Sequence, residues 1–589
     1  MQQYTDFTWK IGGEAGFGIM ITGAIFAKVC TRLSYNVITN TEYPSLIRGG
    51  HNNYTVRASP KKIYSLQKTI DLLVCLNQQT LKLHKNEIKK GGSIIYDPKE
   101  FQPEEKDIPN GVTLLPIPLY EIAKKNNGDI IMRNTVALGA SLAFFGIDFG
   151  ILKNIIVDQF EKKGNEITDL NVKTAKSGYD HVINELKISP TIFANDQKPS
   201  KIILTGNESI AIGAISSGMK FFAAYPMTPI NGLITYLASH DQIHKYIYKQ
   251  PEDEIAAINM AIGASYAGVR AMTATSGGGF ALMNEGFSMS GITETPLVVV
   301  LGQRPGPASG LPTWTSQADL NYALSAGHGE FLRFVFAPGD PEEAYWLTKL
   351  AFNLSEKYQT PIIILVDKNL CESLFSVDIS QLSNTNILPE KVVTYSKTID
   401  RGDIVNNPDE TYVRYQSTKN GISPRLFPGK GMHFTTNSYE HNESGLSTEE
   451  AEEIKTMVDK RGRKKLMAQN ESFGPILYGD KKADITIVGW GTVKMAVLEA
   501  MSILISQKAK LKINYLHFNC LEPFPIKNTT DLLNQENKIV DVELNSEGQL
   551  CNLIREKTGI YIADKILKYD GRQFYPEEII SALQVIAKE

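Results

Sequence analysis

Short runs rich in apolar and β-branched residues recur along the chain, each closed by glycine, proline or serine. The clearest are Phe7–Ile11, Lys201–Thr205, Ala271–Ser276, Pro296–Leu301, Pro361–Asp367, Ala483–Gly491, Ile513–Phe518 and Lys538–Leu544. Runs of this length between chain breakers predict buried strands. The longer stretches between them predict helices, among them Ile19 to about Leu33, Ile230–Leu237, a segment headed by Glu254, and Ser447–Lys465. The Glu254 segment is crowded with Ala and Gly as far as Gly268, so another element can approach it closely. Alternation of strand and helix predicts parallel sheets covered on both faces, an α/β fold.

Breaks in that pattern set the domain limits. Residues 186–200 are polar and hold two prolines, the composition of a linker. From about 395 to 470 the chain turns charged and loop-rich, which predicts a long connection wrapping the surface, not a compact domain. The expected division is residues 1–190, 200–395, a connecting segment 396–470, and 471–589, with a parallel-sheet α/β domain in each of the three larger parts. At 589 residues and 65.3 kDa, each part can bury its own core.

Composition narrows the function classes. Hydrophobic residues are 42% and charged residues 21%, ordinary for a soluble globular chain. The 61 basic and 64 acidic side chains nearly cancel to a net −3, so no nucleic-acid surface is expected. No apolar run approaches the roughly 18 residues of a membrane span. The start of the chain lacks the basic and apolar regions of a signal peptide, and the cytoplasm is the expected compartment. Cys30, Cys75, Cys371, Cys520 and Cys551 include no C-x-x-C pair, which argues against a zinc or iron–sulfur site built by this chain alone.

Polar groups gather at the predicted strand ends. Phe222-Ala-Ala-Tyr-Pro-Met-Thr228-Pro229 reads as a strand, a rigid turn, and a helix with Thr228 at its N-cap and Pro229 at its first position. Ala271–Ser276 ends in Gly277-Gly-Gly279, a glycine turn before another helix, and Pro296–Leu301 runs into Gly302-Gln-Arg304. Thr228, Ser276 and Arg304 thus reach the carboxyl ends of strands, where open α/β sheets bind ligands. A guanidinium among rigid Pro and Gly neighbours suits bidentate capture of a carboxylate, with an ordinary ion pair as the alternative. Glu254 starts a helix beside this rim, and Glu252 competes with it for any role there. Acidic residues are also simply favoured in a first helical turn. Near the N-terminus, Gly12-Gly-Glu-Ala-Gly-Phe-Gly18 opens a helix and suits a phosphate, though its spacing is not G-x-G-x-x-G. Arg48, followed by two glycines, suits an anion or an interdomain salt bridge. His328 reads equally as a structural hydrogen-bonder or an active-site group.

These motifs resemble the alpha subunit of the 2-oxoacid:ferredoxin oxidoreductases with a gamma-type domain fused in front, the 2-oxoglutarate type above all. The resemblance rests on Tyr225-Pro-Met-Thr-Pro229, Glu252-Asp-Glu254, Thr275-Ser-Gly-Gly-Gly279 and Arg304-Pro-Gly-Pro-Ala-Ser-Gly-Leu-Pro-Thr313. Gln317-Ala-Asp-Leu320, Gly327-His-Gly-Glu330 and the Tyr43–His51 stretch extend it. Met227 and Ile230 depart from the family's commonest Ile and Ser at those places.

The resemblance implies a gamma-type domain, a thiamine-enzyme pyrimidine-type domain and a transketolase C-terminal-like domain, in that order. It implies Glu254 as the carboxylate that activates thiamine diphosphate through N1′ of the aminopyrimidine, with Tyr225, Pro226, Ser276 and Gly277 as further cofactor contacts. It gives Thr228 and Arg304 to the 2-oxoacid carboxylate, and Gly16, Gly18 and Arg48 as candidate contacts for coenzyme A. Thiamine enzymes hold the diphosphate through Mg²⁺ on a Gly-Asp-Gly stretch, and this sequence has none. The implied β subunit therefore carries the diphosphate end, Mg²⁺ and a [4Fe-4S] cluster, in an α2β2 assembly with ferredoxin as electron acceptor. The implied reaction converts a 2-oxoacid, 2-oxoglutarate favoured, to acyl-CoA and CO₂. A catalytically silent regulatory copy, or a pyruvate- or branched-chain-specific member, are the alternatives. Joint presence of Glu254, Thr228 and Arg304 speaks against the silent copy.

Overall fold

The structure is a computed structural model that describes residues 6–46, 49–186, 201–383, 399–406, 408, 412–534 and 538–588. The chain forms two compact units, one of Met1–Leu204 with Ser373–Ser380 and Tyr575–Glu578, the other of the remaining residues.

The first unit holds an eight-stranded sheet in the order β6-β5-β4-β1-β3-β2-β14-β7. Its strands are β1 (Phe7–Glu14), β2 (Asn36–Glu42), β3 (His51–Ser59), β4 (Ile70–Cys75), β5 (Ile88–Tyr96), β6 (Thr113–Pro116), β7 (Lys201–Leu204) and β14 (Phe375–Asp378), with helix α1 (Ile19–Arg32) following β1. From β1 through β6 the order is parallel, as expected, but β3 pairs antiparallel with both β1 and β2. The short stretch between Glu42 and His51 cannot hold the crossover of about a dozen residues that a parallel neighbour needs. The run at Lys201, read from the sequence as the opening of the central domain, is an edge strand here, antiparallel to β14. Trp9 and Phe7 are buried on β1, stacking on Phe26 of α1 at 4.4 Å and on Phe145 at 4.2 Å.

The second unit holds two further sheets. The larger has the order β18-β12-β13-β11-β10-β8-β9. It comprises β8 (Met219–Ala223), β9 (Ile247–Lys249), β10 (Arg270–Ser276), β11 (Leu297–Gln303), β12 (Phe334–Phe336), β13 (Pro361–Asp367) and β18 (Cys520–Glu522). All pairs are parallel except β12 with β18. β10, β11 and β13 are buried along their whole length, β11 and β13 as near-continuous apolar runs and β10 with Thr273, Thr275 and Ser276 among its buried residues. Among its helices are α2 (Asn231–His244), α3 (Glu254–Tyr266), α4 (Gly277–Ile292), α5 (Leu320–Ser325) and α6 (Pro341–Tyr358). The smaller sheet, β15-β17-β16-β19-β20, is built from Ile476–Tyr478, Ile513–Phe518, Ile485–Trp490, Lys538–Glu543 and Asp564–Leu567, and is parallel apart from β15.

The charged segment before β15 is fastened by buried ion pairs as well as by apolar side chains such as Tyr415, Leu426 and Met457. Its helix α7 (Ala451–Ala468) starts later than Ser447 because His441 and Ser447 form a bridge and Thr448 N–H binds the Glu440 carbonyl. From α7, Lys460 and Lys464 reach Glu294 at 2.5 and 2.8 Å, and Arg414 donates to the Glu294 carbonyl at 2.9 Å. Burial works against the Glu294 charge, yet the three cations hold its carboxyl well below the usual range. Burial pushes Lys460 down to about 8, against the pull of Glu294 and with the nearby Lys464 charge adding to the shift. Glu294→Gln would strand two buried ammonium groups and is expected to destabilise the unit by about 3–5 kcal/mol. Lys460→Met leaves the Lys464 pair and should cost clearly less. Denaturation midpoints of the two variants test that order, and equal effects would contradict it.

Candidate functional site

Glu254 is the first residue of α3, and Asp253 caps that helix by accepting from Ala256 N–H at 2.8 Å. The Glu254 side chain is buried, at 3% exposure, whereas Glu252 is exposed. Its Oε1 has no hydrogen-bond partner among the described residues. A buried carboxylate oxygen without a donor is costly, so it marks a place where a bound N–H or O–H group would be accepted. The oxygen lies against the start of α4: a Cβ on Gly279 would fall 2.5 Å from Glu254 Oε1 and 2.1 Å from Thr275 Oγ1. Gly277 to Gly279, read from the sequence as a turn, are the first helical turn itself, with Ser276 as N-cap. Gly278 between them is exposed and faces open space.

The Tyr225–Pro229 motif departs from the expected helix start. Ile230 N–H binds the Met227 carbonyl at 3.0 Å, closing a turn with Thr228 and Pro229 at its centre and a cis Thr228–Pro229 peptide. That is a type VI turn. Helix α2 then begins at Asn231 with Ile230 as N-cap, so Thr228 does not cap it. The turn is seated on Gly302, where a Cβ would meet Ile230 and Pro229 within 2.9 Å, and Asn207 Nδ2 holds the Pro229 carbonyl at 2.9 Å. Tyr225 and Pro226 are exposed at the end of β8, and Ser276 Oγ donates to Met227 Sδ.

Arg304 follows β11 and is half-buried, and its Nη1 donates to the Thr228 carbonyl at 3.2 Å. Burial lowers its pKa, which the charge of Asp319 opposes, yet the two form no ion pair. Thr228, Ser276 and Arg304 are therefore brought together through Met227, and Glu254 stands across the start of α4. Asp319 lies in the Gln317-Ala-Asp-Leu320 stretch, to which the sequence assigns no site role. The structure divides that motif. Gln317, fully buried, donates to the Trp490 carbonyl at 2.7 Å and accepts from Leu544 N–H at 3.0 Å, fixing the loop to the smaller sheet. Asp319 turns the other way: its N–H binds Gln303 Oε1 at 3.1 Å, and a Cβ on Gly277 would lie 2.9 Å from its Oδ2.

The remaining predicted positions have surroundings of their own. Gly18 is the N-cap of α1 with φ 71°, and Gly16 is open to solvent with φ 92°. Arg48 lies outside the described residues. His328 is exposed, bonded to Ser288, and lines a cavity of about 710 Å³ that none of Glu254, Thr228, Ser276 and Arg304 borders. All five cysteines are buried. Among the described residues no helix is long and apolar enough to cross a membrane, and no His, Cys, Asp and Glu cluster could hold a metal ion.

Comparison with known proteins shows the family. Residues 212–460 match the family described as "Pyruvate flavodoxin/ferredoxin oxidoreductase, thiamine diP-bdg", and residues 8–181 match "Pyruvate ferredoxin/flavodoxin oxidoreductase". The 2-oxoacid:ferredoxin oxidoreductase subunit alpha of a Sulfolobus species is 32% identical, covering 99% of this chain and 97% of its own. That of Saccharolobus solfataricus is 33% identical, with 99% and 98% covered. The structure of a 2-oxoglutarate:ferredoxin oxidoreductase from Magnetococcus marinus, solved with 2-oxoglutarate, coenzyme A and succinyl-CoA bound, superposes with a TM-score of 0.89 at 33% identity over 99% of this chain and 100% of that one. With both halves of the chain and its full length matched, the protein belongs to the 2-oxoacid:ferredoxin oxidoreductase family, as an alpha subunit in which a gamma-type domain precedes a thiamine diphosphate-binding domain.

Proposed function

We propose that this chain, with a β subunit, oxidatively decarboxylates a 2-oxoacid to acyl-CoA and CO₂ and passes the electrons to ferredoxin. The observation that carries the reading is the buried Glu254 Oε1, without a partner among the described residues, against Gly279 at the start of α4, where the preceding Gly278 faces open space. These residues fit the aminopyrimidine end of thiamine diphosphate. Glu254 would hold a proton at N1′, the helix start at Ser276 and Gly277 would accept the ring closely, and Tyr225 and Pro226 would border it. When bound, thiamine diphosphate supplies a nucleophilic carbon that adds to the substrate keto group and takes up the electron pair left by CO₂. Arg304, a cation with no ion-pair partner among the described residues, would receive the substrate carboxylate, with Thr228 beside it.

No Gly-Asp-Gly occurs in this sequence, which supports a β subunit as the holder of the diphosphate, Mg²⁺ and the [4Fe-4S] cluster. Exposed Ile255, Met260 and Leu282 on α3 and α4 give such a partner apolar surface next to Glu254. An α2β2 assembly and a cytoplasmic setting accompany this reading. The preference for 2-oxoglutarate is supported by the Magnetococcus marinus enzyme, and Gly16, Gly18 and Arg48 remain the residues assigned to coenzyme A. Viologen reduction with 2-oxoglutarate and coenzyme A should require co-expression with the β chain, and turnover by the isolated chain would overturn the shared site. In the assembled enzyme, Arg304→Met should lower kcat/KM for the 2-oxoacid about 30-fold, the loss of one charge-assisted contact.

A further inference from the structure

The start of α4 is flanked by two carboxyl groups, Glu254 against Gly279 and Asp319 against Gly277. The second has no part in the reading above. Asp319 is held in place rather than free: Gln303 Oε1 accepts its N–H at 3.1 Å, and Gln317, two residues earlier, is locked to Trp490 and Leu544. Its carboxyl makes no side-chain cap to α5 and no ion pair with Arg304. Its N–H is held by Gln303, the residue before Arg304, and its Oδ2 faces Gly277, the residue after Ser276, so the carboxyl stands at the same strand ends as that guanidinium, whose charge acts on it. A substrate carboxylate received by Arg304 therefore brings a second negative charge into the neighbourhood of Asp319, in a half-buried place where screening is weak.

We propose that Asp319 is a titrating wall of the 2-oxoacid site, taking up one proton from solvent when the substrate carboxylate binds beside Arg304. The proposal rests on the assignment of Arg304 to that carboxylate. Burial already raises the Asp319 carboxyl to about 6, against the opposing pull of Arg304. Neutralising Arg304 with substrate removes that pull and adds a like charge, so the pKa of Asp319 rises further in the complex. The neighbouring groups are few. Arg304 comes from the end of β11, Tyr322 from α5 itself, and the start of α4 offers Ser276 and glycines, with Glu254 beyond Gly279. Tyr322 is pushed up to about 12 by burial and by Asp319, so it stays neutral across the working range.

The sign follows from linkage. A group whose pKa is higher in the complex favours binding while it is protonated, and affinity falls as pH rises above its free value. In the assembled α–β enzyme, with coenzyme A saturating and viologen as acceptor, kcat/KM for the 2-oxoacid should fall by about tenfold between pH 6 and pH 8, with kcat changing little. Asp319→Asn keeps the shape and the N-cap position while removing the charge. It should flatten that fall and lower KM at pH 8 about tenfold, and Asp319→Ser should do the same should the Asn variant fail to assemble. Asp319→Glu should keep the pH dependence. A wild-type fall that persists unchanged in both neutral variants overturns the proposal, as does a flat wild-type profile. Arg304→Met separates the two readings: unchanged KM in that variant removes the carboxylate from Arg304, whereas raised KM together with unaltered Asn and Ser profiles removes the role of Asp319 alone.

Discussion

Glu254→Gln is expected to cut 2-oxoacid-dependent viologen reduction by the assembled enzyme about 10³-fold while leaving the chain as stable as before. The two halves of this expectation have one cause. Glu254 Oε1 is buried without a donor, so its desolvation is not repaid in the free chain. A residue kept for packing alone would not carry that penalty. Gln preserves the shape and the first-turn position but neither gives nor takes a proton, and losing a positioned acid–base group costs about 10²–10⁴ in rate. Glu252→Gln, two residues away and exposed, should stay within about twofold of wild type. Turnover at saturating thiamine diphosphate and the thermal midpoint are read together. A Glu254→Gln enzyme within tenfold of wild type would defeat the assignment, and a matching drop in melting temperature would make Glu254 a structural residue.

Most of this candidate site is legible in the sequence because its polar groups sit on local motifs at the ends of strands and the starts of helices. Glu254, Ser276 and Arg304 each lie within one residue of the end or start of an element whose apolar pattern is unambiguous. The choice between Glu252 and Glu254 was not legible, since burial of a carboxylate depends on what packs over it, here Gly279 and Thr275 of the next helix and strand. Thr228-Pro229 was misplaced for a related reason. Thr-Pro satisfies the preferences of a helix start, but the bond from Ile230 N–H to the Met227 carbonyl makes it a turn. Asp319 was passed over because nothing local distinguishes it from a surface Asp. Its significance comes from Gly277 and Arg304, distant in sequence. In the fold, the α/β alternation was correct, while the antiparallel β3 and the edge strand Lys201–Leu204 depend on connection length and on pairing with β14, some 170 residues away (about that separation in sequence).

The second large effect comes from two adjacent glycines that should respond in opposite ways. Gly279→Ala places a methyl 2.1 Å from Thr275 Oγ1 and 2.5 Å from Glu254 Oε1, both in the interior. Overpacking of this kind costs about 1–3 kcal/mol. The shift it forces falls on the carboxylate, where about 1 Å of misplacement is worth about 10²-fold in rate. Stability and turnover should therefore fall together. Gly278→Ala meets no atom within 4 Å and sits in the first turn of α4, where Ala costs the unfolded chain less freedom than Gly. The free chain should melt no lower than wild type, yet the methyl would occupy the face assigned to the aminopyrimidine, and the thiamine diphosphate concentration needed for half-maximal activity should rise at least about tenfold. Stability that rises while cofactor affinity falls is not a pattern packing defects produce. If Gly278→Ala binds the cofactor as tightly as wild type, the ring does not lie over this helix start, and Glu254 loses the neighbour that its orphaned oxygen calls for.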